Sequence, residues 1–325
     1  MLMLEFKRIS DDSVAVMRDA VGSDVDYYSR AVESISNLVP SRDVHILNSA
    51  NSCLLCLCEC IPDPVLVCDM GGWNGFIRSC EIFGKNVEYI ATDDGLINIE
   101  VLDNYLNEHD IKSLYITSLA GYTAAQPLDQ IHELCNIHEV LLIIDISPTV
   151  GNTKISQYGD IQVASTGSPK IINIENGGFI CNITGKINPN KHMLKSLKAD
   201  NITCAGIANE IGKSTETLLK TMEINRYLKE KLIKNNIKTI HPKHYGLNTI
   251  IPVQSKSKAK KLAYNIRKEL KINGNIIGTG PNYNRIKKPC ITIETKNLNI
   301  NTISMDDLDY LYKTIIREKK KIETE

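Results

Sequence analysis

The stretch ASTGSPKIINIENGGFI, residues 164–180, decides how this chain reads. In it, Lys170 closes the run Ser165-Thr166-Gly167-Ser168-Pro169-Lys170, and the pair Gly177-Gly178 follows. Ile161-Gln162-Val163-Ala164 just before it reads as a strand, and Gly178-Phe179-Ile180-Cys181 just after it as another. A lysine set past the end of a buried strand lies where open α/β sheets take their ligands. Taken alone, it also reads as a plain surface lysine.

The flanking chain supplies the rest of that sheet. Short apolar runs recur at His45-Ile46-Leu47, Val65-Leu66-Val67-Cys68, Val87-Glu88-Tyr89-Ile90 and Leu114-Tyr115-Ile116-Thr117. The most apolar, Val140-Leu141-Leu142-Ile143-Ile144, ends on Asp145. Helical stretches fall between them, including one from Pro127 to His138 with Pro at the first helical position. Strands alternating with helices, each strand a continuous apolar run, predict an α/β domain with a mostly parallel sheet covered on both faces. Asp145, Ser49 to Ser52, the Gly71-Gly72-Trp73 turn and Ser165 all fall just past strand ends.

The chain divides into an N-terminal helical segment (1–40), a large α/β domain (41–200), and a linking helix with a small α+β domain (201–325). In the last part, a long helix over about 207–235 leads to strands near 247–252 and 291–294 and helices near 259–271 and 305–317. Arg317-Glu318-Lys319-Lys320-Lys321 reads as a solvated helix end or tail.

Length and charge narrow the class. The 325 residues exceed one typical domain, and 42% hydrophobic residues suffice for a sizeable core. Lys plus Arg and Asp plus Glu both total 38. That balance removes the usual footprint of a nucleic-acid binder, leaving room only for a local basic patch. MLMLEFKRISDD becomes charged too early for a signal peptide, and no apolar run is long enough for a bilayer, so the reading is cytoplasmic. Ten cysteines fit a reducing compartment. Cys53, Cys56 and Cys60 recur at helical spacing among leucines, which favours core packing over a metal site with its separated cysteine pairs.

A lysine in a partly desolvated cleft has a lowered pKa and forms a Schiff base with a carbonyl. Pyridoxal 5'-phosphate (PLP) is the common carbonyl cofactor. It needs a lysine, an acid for its ring nitrogen, a stacking side chain and an anion cradle. Lys170, Asp145 and Trp73, the only tryptophan, are candidates for the first three. The helix opening at Ser49-Ala50-Asn51-Ser52 offers free N–H groups to a phosphate, and Ser165 offers a hydroxyl. Each alone has a plainer reading: a turn cap for Asp145, a core residue for Trp73, a simple helix cap at Ser49.

Together these residues resemble fold-type I PLP enzymes, and most closely the DegT/StrS-type sugar aminotransferases. The likeness runs through Asp145-Ile-Ser147-Pro-Thr-Val-Gly151, Gly159-Asp160, Ser165 to Lys170 and Gly177-Gly178, with weaker upstream matches at Ser49-Ala-Asn51-Ser52 and Asp69 to Trp73. It covers about residues 43–215. It implies a PLP-dependent transferase (aspartate aminotransferase-like) fold and a homodimer with the site at its interface. Lys170 would be the Schiff-base lysine and Asp145 the partner of the ring nitrogen. Trp73 would stack on one ring face and Ser147 lie on the other. Ala50, Asn51 and Ser165 would hold the phosphate, and Asn201 would reach the neighbouring subunit's cofactor. Pro148, Gly167 and Asn176 replace family residues on the substrate side. The leading reading is an aminotransferase acting on a small-molecule amino donor and acceptor. A PLP-dependent lyase, a cysteine desulfurase, a tRNA-linked selenocysteine or cysteine synthase, and a diverged non-catalytic member remain as alternatives. A nucleotide-binding Rossmann protein lacks its glycine-rich turn here.

Overall fold

The structure, a computed structural model, describes residues 4–272, 275–282 and 285–324. Residues 1–3 of the first segment, and 273–274, 283–284 and 325 of the last, lie outside them. Helices α1 (Asp11–Asp19) and α2 (Tyr27–Leu38) open the chain. The alternating part follows: β1 (Asp43–Leu47), α3 (Ala50–Cys60), β2 (Val65–Cys68), α4 (Asn74–Ile82), β3 (Val87–Ile90), α5 (Ile99–Glu108) and β4 (Ser113–Thr117). A small hairpin, β5 (Leu119–Ala120) and β6 (Ala124–Ala125), precedes α6 (Leu128–Ile137). Then come β7 (Leu141–Asp145), β8 (Ile161–Ser165), β9 (Gly178–Asn182) and α7 (Lys191–Ser196).

The large sheet has seven strands in the order β1-β9-β8-β7-β4-β2-β3. The run β8-β7-β4-β2-β3 is parallel, and β9 is antiparallel to both its neighbours. Every residue of β4 and β7 is buried, as two covered faces require. On one face Leu66, Ile116, Leu142 and Ile144 pack with Ile35, Leu102 and Ile131. On the other, Val65, Val67, Ile143 and Ile180 pack with α3 and α4. Cys53, Cys56 and Cys58 lie wholly within that second layer, and Cys60 is half-buried. Burial pushes the Cys53 thiol well up and the Cys60 thiol to about 12, so both behave as neutral apolar groups.

Beyond the sheet, α8 (Asn201–Ile211) gives Cys204, Ile207 and Ile211 to the large core, and α9 (Ser214–Lys234) runs on to the second unit. That unit comprises β10 (Thr249–Pro252), α10 (Lys256–Leu270), β11 (Ile277–Asn282), β12 (Ile286–Ile293) and α11 (Met305–Thr324). Its antiparallel sheet, β10-β12-β11, has a core of its own built on Leu228, Leu262, Ile266, Ile291 and Ile315.

Four details differ from the sequence reading. The helix over 207–235 is two helices, broken at Gly212-Lys213, where glycine lowers helix propensity. Pro127 is the N-cap of α6 rather than its first residue. Strand β11 is hidden in the sequence by Gly278, Gly280 and Pro281. The 317–321 run is part of α11, with Glu318 and Lys319 buried and ion-paired to Lys321 and Glu323. No helix among the described residues is long and apolar enough to cross a membrane.

Gly178 fixes how closely the sheet approaches α3. A Cβ there would lie 2.7 Å from the Ala50 nitrogen and 2.8 Å from the Ala164 oxygen, both backbone atoms that cannot step aside. Gly178→Ala should therefore cost about 1–3 kcal/mol, as overpacking does. A lowered urea midpoint at unchanged slope would report it, and an unchanged midpoint would mean that the two segments separate freely.

Candidate functional site

The carboxyl ends of β4, β7 and β8 and the start of α3 open on a cavity of ≈ 620 Å³. Ala50, Asn51, Trp73, Asp145, Ser147, Ser165 and Lys170 all line it. Topology brings them together, since parallel strands deliver their last residues to one edge.

Asp145, the last residue of β7, is 8% exposed. Its Oδ1 accepts the Ser147 N–H at 2.9 Å, and its Oδ2 accepts the Tyr115 hydroxyl at 3.4 Å. The Ser147 hydroxyl accepts the Ser165 N–H at 2.8 Å and so ties the ends of β7 and β8 together. Ser165 Oγ accepts the Gly167 N–H at 3.3 Å, which leaves its own proton to donate. Ser49 caps α3 by accepting the Ser52 N–H at 3.1 Å. The first N–H groups of a helix have no helical acceptor, so Ala50 and Asn51 present donors to the cavity. Trp73 donates its indole N–H to Asn51 Oδ1 at 3.0 Å. Gly75 makes room for that ring, because a Cβ there would lie 2.2 Å from the indole nitrogen.

Lys170 Nζ donates to the Tyr122 hydroxyl at 3.0 Å. Its backbone is held too, since Lys7 Nζ donates to the carbonyls of Lys170 (2.6 Å) and Ile171 (3.1 Å). Burial lowers the Lys7 ammonium to about 8, against the pull of Glu210. Asn201 lies elsewhere. It accepts the Tyr27 N–H and donates to the Val25 carbonyl, both at 3.0 Å, and is not among the cavity's lining residues.

The second unit forms the opposite wall with Arg267, Arg285, Glu294 and Lys296. Arg285 grips both oxygens of Glu294 (2.8 and 3.0 Å), and Lys296 lies 3.3 Å from the same carboxylate. Burial works to raise Glu294, but Arg285 and Lys296 outweigh it and hold it at about 2. Burial also draws the Lys296 ammonium down to about 7, against the pull of Glu294. Tyr122 stands between the walls, with Arg285, Lys170 and Lys296 at 4.8, 5.3 and 5.7 Å from its ring centre.

Tyr122, Arg285, Glu294 and Lys296 escaped the sequence reading. The strand before Glu294 was legible, but nothing in the residues says that its end turns toward Lys170. Thr117, the last residue of β4, also lines the cavity, and its buried Oγ1 has no hydrogen-bond partner. A strand end beside that of Asp145 was the available signal.

Glu294→Gln would leave the half-buried Arg285 and the buried Lys296 without their counter-charge. The expected loss at neutral pH is about 3–5 kcal/mol in urea unfolding. A carboxylate whose pKa is lowered by folding adds stability above its unfolded value and loses it as pH falls through the folded one. The gap between wild type and variant should therefore shrink below the ordinary carboxylate range and close near pH 2. Equal midpoints at pH 7 would refute the coupling.

The family model described as the MJ1341 family C-terminal domain matches residues 215–316. No curated protein matches the chain. Among solved structures, serine palmitoyltransferase from S. paucimobilis, with bound PLP-myriocin aldimine, is similar at TM-score 0.79 and 10% identity. That match covers 100% of this chain and 88% of the other. Alanine–glyoxylate aminotransferase from Nostoc sp. is similar at TM-score 0.74 and 13% identity, over 98% and 94%. A NifS-like protein is similar at TM-score 0.76 and 15% identity, over 98% and 100%. At such identities the likeness establishes the fold alone, the PLP-dependent transferase (aspartate aminotransferase-like) fold.

Proposed function

We propose that the cavity holds PLP on Lys170 and that the chain uses it to transfer an amino group between small molecules. The observation that carries this reading is the convergence of an amine, a buried carboxylate, an indole and a row of N–H donors on one cavity. The residues fit the cofactor's four demands. When bound, PLP supplies an electron sink for the electron pair left at an amino acid's Cα.

The chain's own groups would do the rest. Asp145, buried and held by two hydrogen bonds, keeps a proton on a ring nitrogen set against it. Trp73 would cover one ring face, and Ser147 would border the other. Ala50 and Asn51, through their N–H groups, and Ser165, through its hydroxyl, take the phosphate. Lys170 would hold the cofactor through its amine and would hold and move a proton at its Nζ, with the Tyr122 hydroxyl in reach. Arg267, Arg285 and Lys296 give the facing wall more positive charge than Glu294 removes, which suits a substrate carboxylate.

The motif likeness to the DegT/StrS-type aminotransferases supports amino transfer among PLP reactions. No cysteine among the described residues lines the cavity, which favours amino transfer over a route through a cysteine nucleophile. The reading carries with it a homodimer in the cytoplasm, the assembly that the resemblance implies.

Trp73, as the only tryptophan, reports on the site directly. PLP should quench its emission in a saturable titration, and Asp145→Asn should weaken the apparent affinity about tenfold or more, one lost charge-assisted contact. Amino acids should then bleach the visible band of the loaded protein. Unquenched emission, or equal affinity in the variant, would reject the assignment.

A further inference from the structure

The chain's zero net charge is the sum of two opposed parts. Residues 1–214 hold 15 Lys and Arg against 27 Asp and Glu, and residues 215–325 hold 23 against 11. Charge segregated in this way is a footprint of polyanion binding that a neutral total conceals.

Part of that positive excess lines one helix face. Along α10, Lys256, Lys260, Tyr264 and Lys268 follow at four-residue steps, all exposed, with Lys271 just beyond the last turn. Such steps keep one face and advance about 6 Å each. The other face of α10, with Leu262, Ile266 and Leu270, is sealed in the core of the second unit. Among the described residues, Lys256, Lys260, Lys268 and Lys271 enter no salt bridge. The helix's one acid, Glu269, lies off this face and is paired to Arg317 at 3.1 Å. At the start of α10 a groove of ≈ 330 Å³ adds Lys238 and Lys258, beside the ion pair of Lys319 with Glu323. The strip ends at Asp306 and Asp307, beyond Lys271.

Tyr264, in the middle of the lysine row, is 63% exposed. An aromatic ring standing among cations, with no core to fill, is a platform for stacking a base. A membrane surface fits less well, because a helix that lies on lipid needs its apolar face free, and that of α10 is buried. We propose that the α10 face binds single-stranded nucleic acid, with phosphates along the lysine row and a base against Tyr264.

The test is fluorescence anisotropy of the full chain with labelled oligouridine and oligothymidine of about 20 nucleotides, across a salt series. Both strands share the proposed chemistry, and a preference for either identifies the source. Lys256→Gln, Lys260→Gln and Lys268→Gln combined should weaken binding at least tenfold and flatten the salt slope by about 2, since each single-strand phosphate contact contributes about 0.7. Tyr264→Ala should weaken it about tenfold with the slope unchanged. A control combining Lys154→Gln, Lys191→Gln and Lys195→Gln, exposed on the large unit, should bind as wild type does. Unchanged thermal unfolding of each variant excludes loss of fold. No binding at low salt, full binding by the α10 triple variant, or no effect of Tyr264→Ala would overturn the proposal. Capture by phosphatidylserine vesicles without oligonucleotide binding would overturn it as well.

Discussion

A sheet buried on both faces has no place for polar side chains except the ends of its strands. That constraint organises the large unit. Within β4 and β7 every side chain is enclosed, so Thr117 and Asp145, the last residues of these strands, lie where burial gives way to a cavity. Ser165 does the same for β8. The start of α3 meets this edge because Gly178 lets β9 pass against Ala50. Cradle, carboxylate and hydroxyl thus come from one packing arrangement.

The lysine depends on a second arrangement that joins distant parts of the chain. Lys7 holds the backbone at Lys170, and the adjoining residues pair with the second unit through Lys7 N–H to the Asn297 carbonyl at 2.8 Å. Tyr122 bonds the Lys170 amine through its hydroxyl, while its carbonyl accepts the N–H groups of Leu247 and Asn248. The site is therefore closed by contacts between the two units. A shift of the second unit would move Tyr122 and the Arg285–Glu294–Lys296 cluster together.

How much of this was legible follows from the range of each signal. Apolar runs and their end residues are local patterns, so the seven strands of the large sheet could be read directly, and with them Ala50, Asn51, Trp73, Asp145, Ser165 and Lys170 as cavity candidates; Ser147 entered through the motif likeness. Asn201 was read from its place in a motif alone, and within this chain its side chain is bonded to Val25 and Tyr27, residues nearly the whole unit away in sequence. The facing wall depends on how the second sheet docks, which no local pattern encodes. Strand β11 was masked by its glycines and proline. The basic face of α10 was concealed by summing charge over the whole chain.

Two amines face the cavity, and they make the decisive measurement. Burial draws the Lys296 ammonium down to about 7, so an appreciable share of it is free amine near neutral pH and it rivals Lys170 for a carbonyl. The protein should be loaded with PLP, reduced with borohydride, digested, and the labelled peptide sequenced. The label should fall on Lys170 alone and vanish in Lys170→Ala. A label on Lys296, or none, would contradict the assignment of Lys170 as the cofactor lysine.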